Sequence, residues 1–346
     1  MMASRIPADS APSMSDVARL AKVSMATVSN TLNQPDKVSP ATQARVLKAI
    51  EQLGFVRNSA ARSIAAGTST TIGLVLADMG NTLFVDIARG AERQAQASGM
   101  SLLLANSDVD LQKQDSYLHL FDEARVAGII LAPLDDSLAE MEKVRRHGRP
   151  VVLVNDTGVT TRSCSVVVDE QYGGYLAARH LIDSGRRRLA FVGSPRHFHA
   201  ISDRYLGAQR AVTEASDGVT LELVETTALN VRDGYAVGRE LAARVEDTRP
   251  DGVFAAADLL AVGCIQAMHG HNGIDVPRDV AVIGYDNNHF ATETMVPVST
   301  IAQPAEEMGQ AATRLLLEEA RKEPGHSHRR VTLQPRLIVR QSSYSG

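Results

Sequence analysis

Ser15-Asp16-Val17-Ala18-Arg19-Leu20-Ala21-Lys22-Val23-Ser24-Met25-Ala26-Thr27-Val28-Ser29-Asn30-Thr31-Leu32 is the stretch on which the reading of this chain turns. Val17, Ala18, Leu20 and Ala21 recur at helical spacing, and Ser15 is a good N-cap residue for that helix. A tight break is expected at Lys22-Val23. Ser24 then caps a second short helix carrying Thr27, Val28, Thr31 and Leu32. Two helices this small, joined by so short a turn, have the form of the helix-turn-helix that enters a DNA major groove; two helices of an ordinary bundle are the plainer alternative. In the second helix Met25, Ala26 and Asn30 are placed to touch base edges, and Ser24, Thr27 and Ser29 to hold phosphates.

A third helix follows. Ser39-Pro40 gives a cap and a first-turn proline, Val46, Leu47, Ile50 and Leu53 give the apolar stripe, and Gly54 gives the stop. Phe55 and Val56 are expected to close a three-helix core. Next comes an alanine-rich segment from Asn58 to Gly67, about two turns long and too short to hold as an isolated helix. It reads either as a linker or as a hinge that folds against DNA, with Ile64 as an apolar wedge in the minor groove.

Charge is distributed unevenly. The 346-residue chain has a net charge of −4, which by itself does not point to nucleic acid. From Met14 to Gly67, seven basic residues (Arg19, Lys22, Lys37, Arg45, Lys48, Arg57, Arg62) face three acidic ones (Asp16, Asp36, Glu51). That local net is +4; residues 1–13 contribute zero, so −8 falls on the remainder. A basic headpiece on an acidic body suits a protein that meets phosphates at one end, and Lys37 is a candidate contact.

From Thr71 the pattern becomes strands alternating with helices, in two series of similar size; the second is expected to begin at Val166. Uninterrupted apolar runs of four to six residues between helices read as parallel strands buried on both faces. The expected fold is therefore α/β: an all-α helix-turn-helix headpiece plus two doubly wound parallel-sheet lobes, with ligands at the carboxyl ends of strands between them. The expected boundaries are a disordered lead at 1–13, a headpiece at 14–57, a hinge at 58–67 and a two-lobe body at 68–346. Within the body, the first lobe takes about 71–165 plus 303–325, and the second about 166–302 plus 326–340. The tail, a helix near Ala305 to Arg321 and a strand from Val331 to Val339, is expected to return to each lobe in turn.

Taken together, Asp16-Val-Ala, Val23-Ser, Thr27-Val-Ser, Leu32-Asn33, Val38-Ser39, Gly54-Phe55, Asn58 and Ala61-Arg-Ser-Ile-Ala-Ala-Gly67 resemble the lactose/galactose repressor (LacI/GalR) family, from about Met14 to the end of the chain. The resemblance implies lobes like those of periplasmic binding proteins. It also implies a homodimer that reads a pseudo-palindromic operator in double-stranded DNA, with a small polar effector, a sugar or a similar small polar ring, gating the binding. Asn58, Ala61 and Ile64 would then be hinge contacts to DNA. Asn30 stands where many members carry arginine, Ile64 where leucine is usual, and Arg57 where proline is common.

Candidate effector contacts sit where strands end. Asp286 follows Val280-Ala-Val-Ile-Gly-Tyr, Asp258 follows Val253-Phe-Ala-Ala-Ala, and Arg204 opens a helix after the Gly193 loop. The resemblance places Arg204 in an Arg-x-x-Gly element with Gly207, Asp286 in Gly-Tyr-Asp, and Asp258 in an element reaching Gly263. An internal ion pair is the alternative for Arg204 and Asp286, and a helix cap for Asp258. Phe84, in Asn81-Thr-Leu-Phe, either stacks on a ligand or fills the core. Asp156 and Asn106 are weaker candidates.

No catalytic constellation, cofactor motif or metal site is expected. His197-Phe-His199, His269-Gly-His271 and His326-Ser-His328 are spaced i, i+2 rather than the i, i+4 of a helical metal site, and read as loop surface histidines. Cys164 and Cys264, a hundred residues apart, read as reduced thiols in a cytoplasmic chain. Neither a signal peptide nor a membrane span is legible, and no heptad-bearing extension suggests more than a dimer. A ligand-binding receptor module without DNA function is the competing reading.

Overall fold

The computed structural model describes residues 12–56, 69–134, 138–155, 162–194, 199–215, 218–270 and 273–344, and divides the chain into two units, Met1–Gly67 and Thr68–Gly346. The hinge candidates Asn58, Ala61 and Ile64, the cleft candidate Asp156 and most of the expected lead lie outside the described residues.

The first unit is built on three helices, α1 (Met14–Ala21), α2 (Met25–Asn33) and α3 (Pro40–Leu53). Ser13, not Ser15, caps α1. Its hydroxyl accepts from the Asp16 amide while the Asp16 carboxylate accepts from the Ser13 amide at 2.9 Å, a reciprocal box that puts Ser15 inside the helix. Lys22 takes a left-handed conformation (φ 54°) to end α1, and Gly54 does the same after α3 (φ 61°). Val17, Ala18, Ala21, Val28, Val46 and Ala49 form the core, and Phe55 packs against them. Val56, by contrast, is 84% exposed, and Leu20 and Leu47 also point to solvent. Three short helices have room inside for one stripe each, so residues one step off the stripe turn outward.

The second unit holds two six-stranded sheets. Strands β1 (Thr71–Leu76), β2 (Ser101–Asn106), β3 (Ile129–Leu131), β4 (Val151–Val154), β5 (Ser165–Val168) and β11 (Arg330–Leu333) make the first, in the order β11-β5-β4-β3-β1-β2, all parallel. Strands β6 (Arg188–Gly193), β7 (Thr220–Glu225), β8 (Gly252–Ala255), β9 (Ala281–Asp286), β10 (Ser299–Ala302) and β12 (Arg336–Ile338) make the second, in the order β12-β10-β9-β8-β6-β7, with only β12 antiparallel. Their helices are α4 (Thr82–Ala97), α5 (Leu111–Glu123), α6 (Leu138–Arg146), α7 (Glu170–Asp183), α8 (His199–Thr213), α9 (Val231–Ala242), α10 (Asp258–Gly270) and α11 (Ala305–Ala320).

Strand pairing moves two expected lobe boundaries. β5 hydrogen-bonds to β4, so the run at Val166 closes the first lobe instead of opening the second. The expected strand from Val331 to Val339 is two strands. Pro335, which has no amide N–H to give a ladder, separates β11 in the first sheet from β12 in the second. An apolar run is equally at home in either sheet, which is why its sequence could not assign it. The chain thus crosses between lobes three times, after β5, after β10 and after β11.

Three helix pairs pack backbone against backbone through reciprocal glycines. A Cβ on Gly90 of α4 would lie 2.0 Å from the Glu306 carbonyl oxygen, and one on Gly309 of α11 would lie 2.0 Å from that of Ile87. Gly174 and Gly207 do this for α7 and α8, and Gly234 and Gly263 for α9 and α10. Gly207 and Gly263, which the resemblance placed in ligand-contact elements, are therefore packing residues. We expect Gly309→Ala to force α4 and α11 apart and to lower stability by about 1–3 kcal/mol, seen as a lower melting temperature with the same far-ultraviolet circular dichroism. An unchanged melting temperature would show that the helices can yield at no cost.

Candidate functional site

In the headpiece, the Ser24 hydroxyl accepts from the Thr27 amide at 3.0 Å and shares a hydrogen bond with the Thr27 hydroxyl at 2.8 Å, fixing the start of α2. The Ser29 hydroxyl accepts from the Asn33 side chain at 3.2 Å. Met25, Ala26 and Asn30 are exposed, with Ser29 half-buried beside them. Lys37 ends an exposed turn after α2, Pro35–Lys37. Val28 and Thr31 are buried on the opposite side of α2. The helix therefore offers one uncharged face of short and flexible side chains.

Between the lobes of the second unit lies a cavity of about 320 Å³, at the small end of the range for small-molecule sites. The carboxyl ends of β1, β3 and β4 reach it through Ala77, Ala132 and Asn155, and Asp286, ending β9, reaches it from the other lobe. Three helices present their first residues to it: Leu83 and Phe84 of α4, His199 to Ile201 of α8, and Asn230, which caps α9. Phe84 lines the cavity and is also buried in the core of the first lobe, so its two readings are compatible.

Arg204 and Asp286, read as a cleft pair, both line this cavity, and they are tied to each other. Arg204 donates to both oxygens of Glu170 (2.8 and 3.2 Å) and to the Ala256 carbonyl (2.6 Å), and its Nη2 lies 3.6 Å from Asp286 Oδ1. Its guanidinium stacks 3.7 Å over the Tyr285 ring. Asp286 accepts from Gln303 at 2.7 Å and, across the lobes, from Asn81 at 3.0 Å. Asn81 in turn caps α4 by accepting from the Leu83 amide at 3.0 Å.

Asp286 holds a left-handed backbone, φ 104°, which is rare for a residue with a side chain and adds on the order of 1–3 kcal/mol of strain. Burial pushes its carboxyl pKa up, while Arg204, Asn81 and Gln303 pull it back. Burial would likewise lower the Arg204 guanidinium, but Glu170 and Asp286 outweigh it and keep the cation charged.

Asp258, offered as a helix cap or an effector contact, does not line the cavity. Its carboxylate is buried at the start of α10 and accepts from the Asn288 amide at 2.6 Å, pinning the loop that follows β9. Asn106 accepts from the Met79 amide at 3.1 Å and likewise supports a loop. Glu170, Gln303 and Asn81 were absent from the sequence-derived site. Glu170 and Gln303 sit at two of the three lobe crossings, which only strand pairing reveals, and in the sequence Asn81 figures only in the stretch that leads to Phe84.

Burial, followed by the charge of Asp286, raises the Asp258 pKa well above its ordinary value of 3.8. Such a group binds its proton more tightly folded than unfolded, so stability falls as pH climbs from about 3.8 toward the folded value. Asp258→Asn keeps an acceptor for Asn288 without the charge. Its melting temperature relative to the parent should therefore increase from pH 4 to pH 8, read by differential scanning fluorimetry; a difference independent of pH would mean that Asp258 carries no such penalty.

Comparison with known proteins gives a concordant result. Residues 13–58 match the family described as bacterial regulatory proteins, lacI family, and residues 178–343 match the periplasmic binding protein-like domain. The chain is 34% identical over 340 residues to the HTH-type transcriptional regulator RegA of Clostridium saccharobutylicum, covering 96% of this chain and 99% of that protein. It is 36% identical over 310 residues to the ribose operon repressor of Bacillus subtilis, covering 89% and 92%. The solved structure of a transcriptional regulator CelR–cellobiose complex aligns with a TM-score of 0.68 at 30% identity, covering 96% of this chain and 100% of that one.

Proposed function

This chain belongs to the lacI family of bacterial regulatory proteins, and from that premise we propose a repressor gated by a small sugar held between its two lobes. It is a DNA-binding transcriptional regulator and not an enzyme. Its headpiece removes the competing reading of a receptor module without DNA function. No helix among the described residues is long and apolar enough to cross a membrane, and we place its action in the cytoplasm, where the DNA is.

The observation that carries the ligand reading is the hydrogen bond from Asn81 to Asp286. It joins the lobes across a cavity whose other polar lining includes Asn155, Thr227 and Asn230. A sugar hydroxyl is a donor of the same kind as the Asn81 amide, and neighbouring hydroxyls can bind a carboxylate and a guanidinium together. Phe84 offers an apolar surface to the ring's C–H face. Binding would replace a lobe-to-lobe hydrogen bond with two lobe-to-ligand ones, and the ligand would shift the balance of lobe arrangements by its difference in affinity for them. The relatives named for ribose and solved with cellobiose make a sugar the first class to test.

At the DNA end, α2 would enter the major groove. Ser24, Thr27 and Ser29 would set its position on phosphates, Met25, Ala26 and Asn30 would read bases, and Lys37 would add a phosphate contact. Leu103 and Leu104 are exposed on β2, an edge strand of the first sheet, which supports a second copy packing there. Two headpieces would then read a pseudo-palindromic operator, with Asn58, Ala61 and Ile64 serving the hinge between them.

A thermal-shift screen of pentoses, hexoses and disaccharides tests the cleft, because a ligand at about 100 times its dissociation constant stabilises the folded state by roughly 2.7 kcal/mol. Asp286→Ala should lose that response and still bind operator, since Glu170 keeps Arg204 paired. A parent-like response from this variant would remove Asp286 from the site. At the headpiece, Asn30→Ala should change the consensus recovered by binding-site selection, whereas Lys37→Ala should weaken all sequences alike and flatten the salt dependence. An unchanged consensus for Asn30→Ala would exclude a base-reading role.

A further inference from the structure

Outside the cleft, the fold gathers a second set of polar side chains. Cys164 immediately precedes β5, Glu319 lies in the last turn of α11, and His326 and His328 lie in the segment that leads from α11 into β11. The parallel pairing of β11 with β5, including a hydrogen bond from the Ser165 amide to the Arg329 carbonyl at 3.0 Å, draws the three segments together. The two histidines are thus not the detached surface pair that their i, i+2 spacing suggested.

Cys164 Sγ lies 3.7 Å from His326 Nε2 and 3.9 Å from His328 Nδ1. Glu319 Oε2 lies 3.8 Å from the same His326 nitrogen and 3.7 Å from the same His328 nitrogen. All four donor atoms fall within 4.8 Å of one another. A tetrahedral zinc with bonds of about 2.3 Å to sulfur and about 2.1 Å to nitrogen and oxygen has donor-to-donor edges of roughly 3.4–3.6 Å. The four separations of 3.7–3.9 Å need to shrink by only a few tenths of an ångström, and the remaining two, Cys164–Glu319 and His326–His328, lie within 4.8 Å and close by up to about 1.3 Å through side-chain rotation.

Three further observations point to a cation. Glu319 Oε2 is buried and has no hydrogen-bond partner among the described residues, a costly position for a carboxylate oxygen unless something positive faces it. Glu318 and Glu319 sit at the carboxyl end of α11, where the helix dipole already concentrates negative charge, and the last turn of that helix has no basic residue. His326 Nδ1, on the far side of its ring, lies 3.5 Å from Glu318 Oε2, which also accepts from Arg329 at 2.7 Å. At 3.5 Å the contact is an ion pair and not yet a hydrogen bond, and a small turn of the ring would let Nδ1–H donate to this carboxylate, the arrangement that orients a metal-binding histidine.

We propose that Cys164, Glu319, His326 and His328 form a binding site for one zinc ion. One thiolate, two imidazoles and one carboxylate are a borderline-soft donor set, unlike the all-oxygen shells of magnesium or calcium. On binding, the Cys164 thiol releases its proton to solvent and the sulfur ligates as thiolate. Four protein ligands fill a tetrahedral shell and leave no open position, so the site is structural. It staples the returning segment, residues 321–329, to the start of β5 and so holds edge strand β11 in the first sheet, at the amino ends of the strands and away from the cleft.

The test uses the untagged full-length chain, purified with a non-thiol reductant and passed over a chelating resin. Elemental analysis should find close to one zinc per chain. Removing the zinc should lower the melting temperature, and adding zinc alone should restore it. Cobalt(II) loaded in its place should give thiolate-to-metal charge-transfer absorption and the intense d–d bands of a tetrahedral site. Cys164→Ser should abolish the charge-transfer band. His328→Gln, at the more exposed ligand, should leave the circular dichroism unchanged and weaken zinc binding by about 100-fold or more, beyond what loss of an outer-shell partner produces. The site is overturned if parent and His328→Gln retain zinc equally, or if cobalt binds without the thiolate band.

Discussion

A carboxylate deprived of water must find its hydrogen bonds in protein, and Asp286 finds them in both lobes. Arg204 and Gln303 approach it at the end of β9, and Asn81 reaches it from the start of α4 in the other lobe. Each partner is committed elsewhere too: Arg204 to Glu170 and the Ala256 carbonyl, Asn81 to the first turn of its own helix. The two lobes are therefore joined through one buried charge whose surroundings are set by several elements at once. A strained φ of 104° at that residue persists because so many neighbours determine it together. This is the arrangement expected of a bistable element: a polar ligand that competes for the same acceptors changes which lobe-to-lobe contacts are available.

The lobes themselves are stiffened by a different constraint. Three pairs of helices are in backbone contact through glycines, a packing too close for either helix to take up a Cβ without shifting. Three crossings connect the lobes, and Glu170 and Gln303 stand at two of them, so the groups that hold Arg204 and Asp286 sit on the segments that join one lobe to the other. The Cys164–Glu319–His cluster acts on the same architecture from elsewhere, joining the end of α11 and the return to β11 within the first lobe.

Much of this was legible in the residues. The headpiece announces itself because a helix is a local object: caps, stripe and stop lie within four residues of the groups that they serve, as with Ser24 and Thr27 or Leu53 and Gly54. Even there, Ser15 was read as the cap where Ser13 serves, because both serines precede the same apolar stripe and only the reciprocal bond with Asp16 selects one. The alternation of apolar runs and helices gave the two doubly wound lobes. It did not assign β5 or β11, since a valine run carries no mark of the sheet that it will join.

The sequence by itself determined the kind of molecule: a basic three-helix headpiece ahead of two parallel-sheet lobes, with Arg204 and Asp286 offered either as cleft residues or as an internal ion pair. Tertiary structure alone decided which groups meet. Asn81 and Asp286 are 205 positions apart, and Cys164 and His328 are 164 apart. No periodicity extends over such distances, and what brings these groups together is the pairing of buried strands and the requirement that a buried charge be matched. Asp258, which its sequence offers as a helix cap sooner than as a cleft carboxylate, became an internal anchor because its carboxylate accepts from the loop after β9 and does not line the cavity.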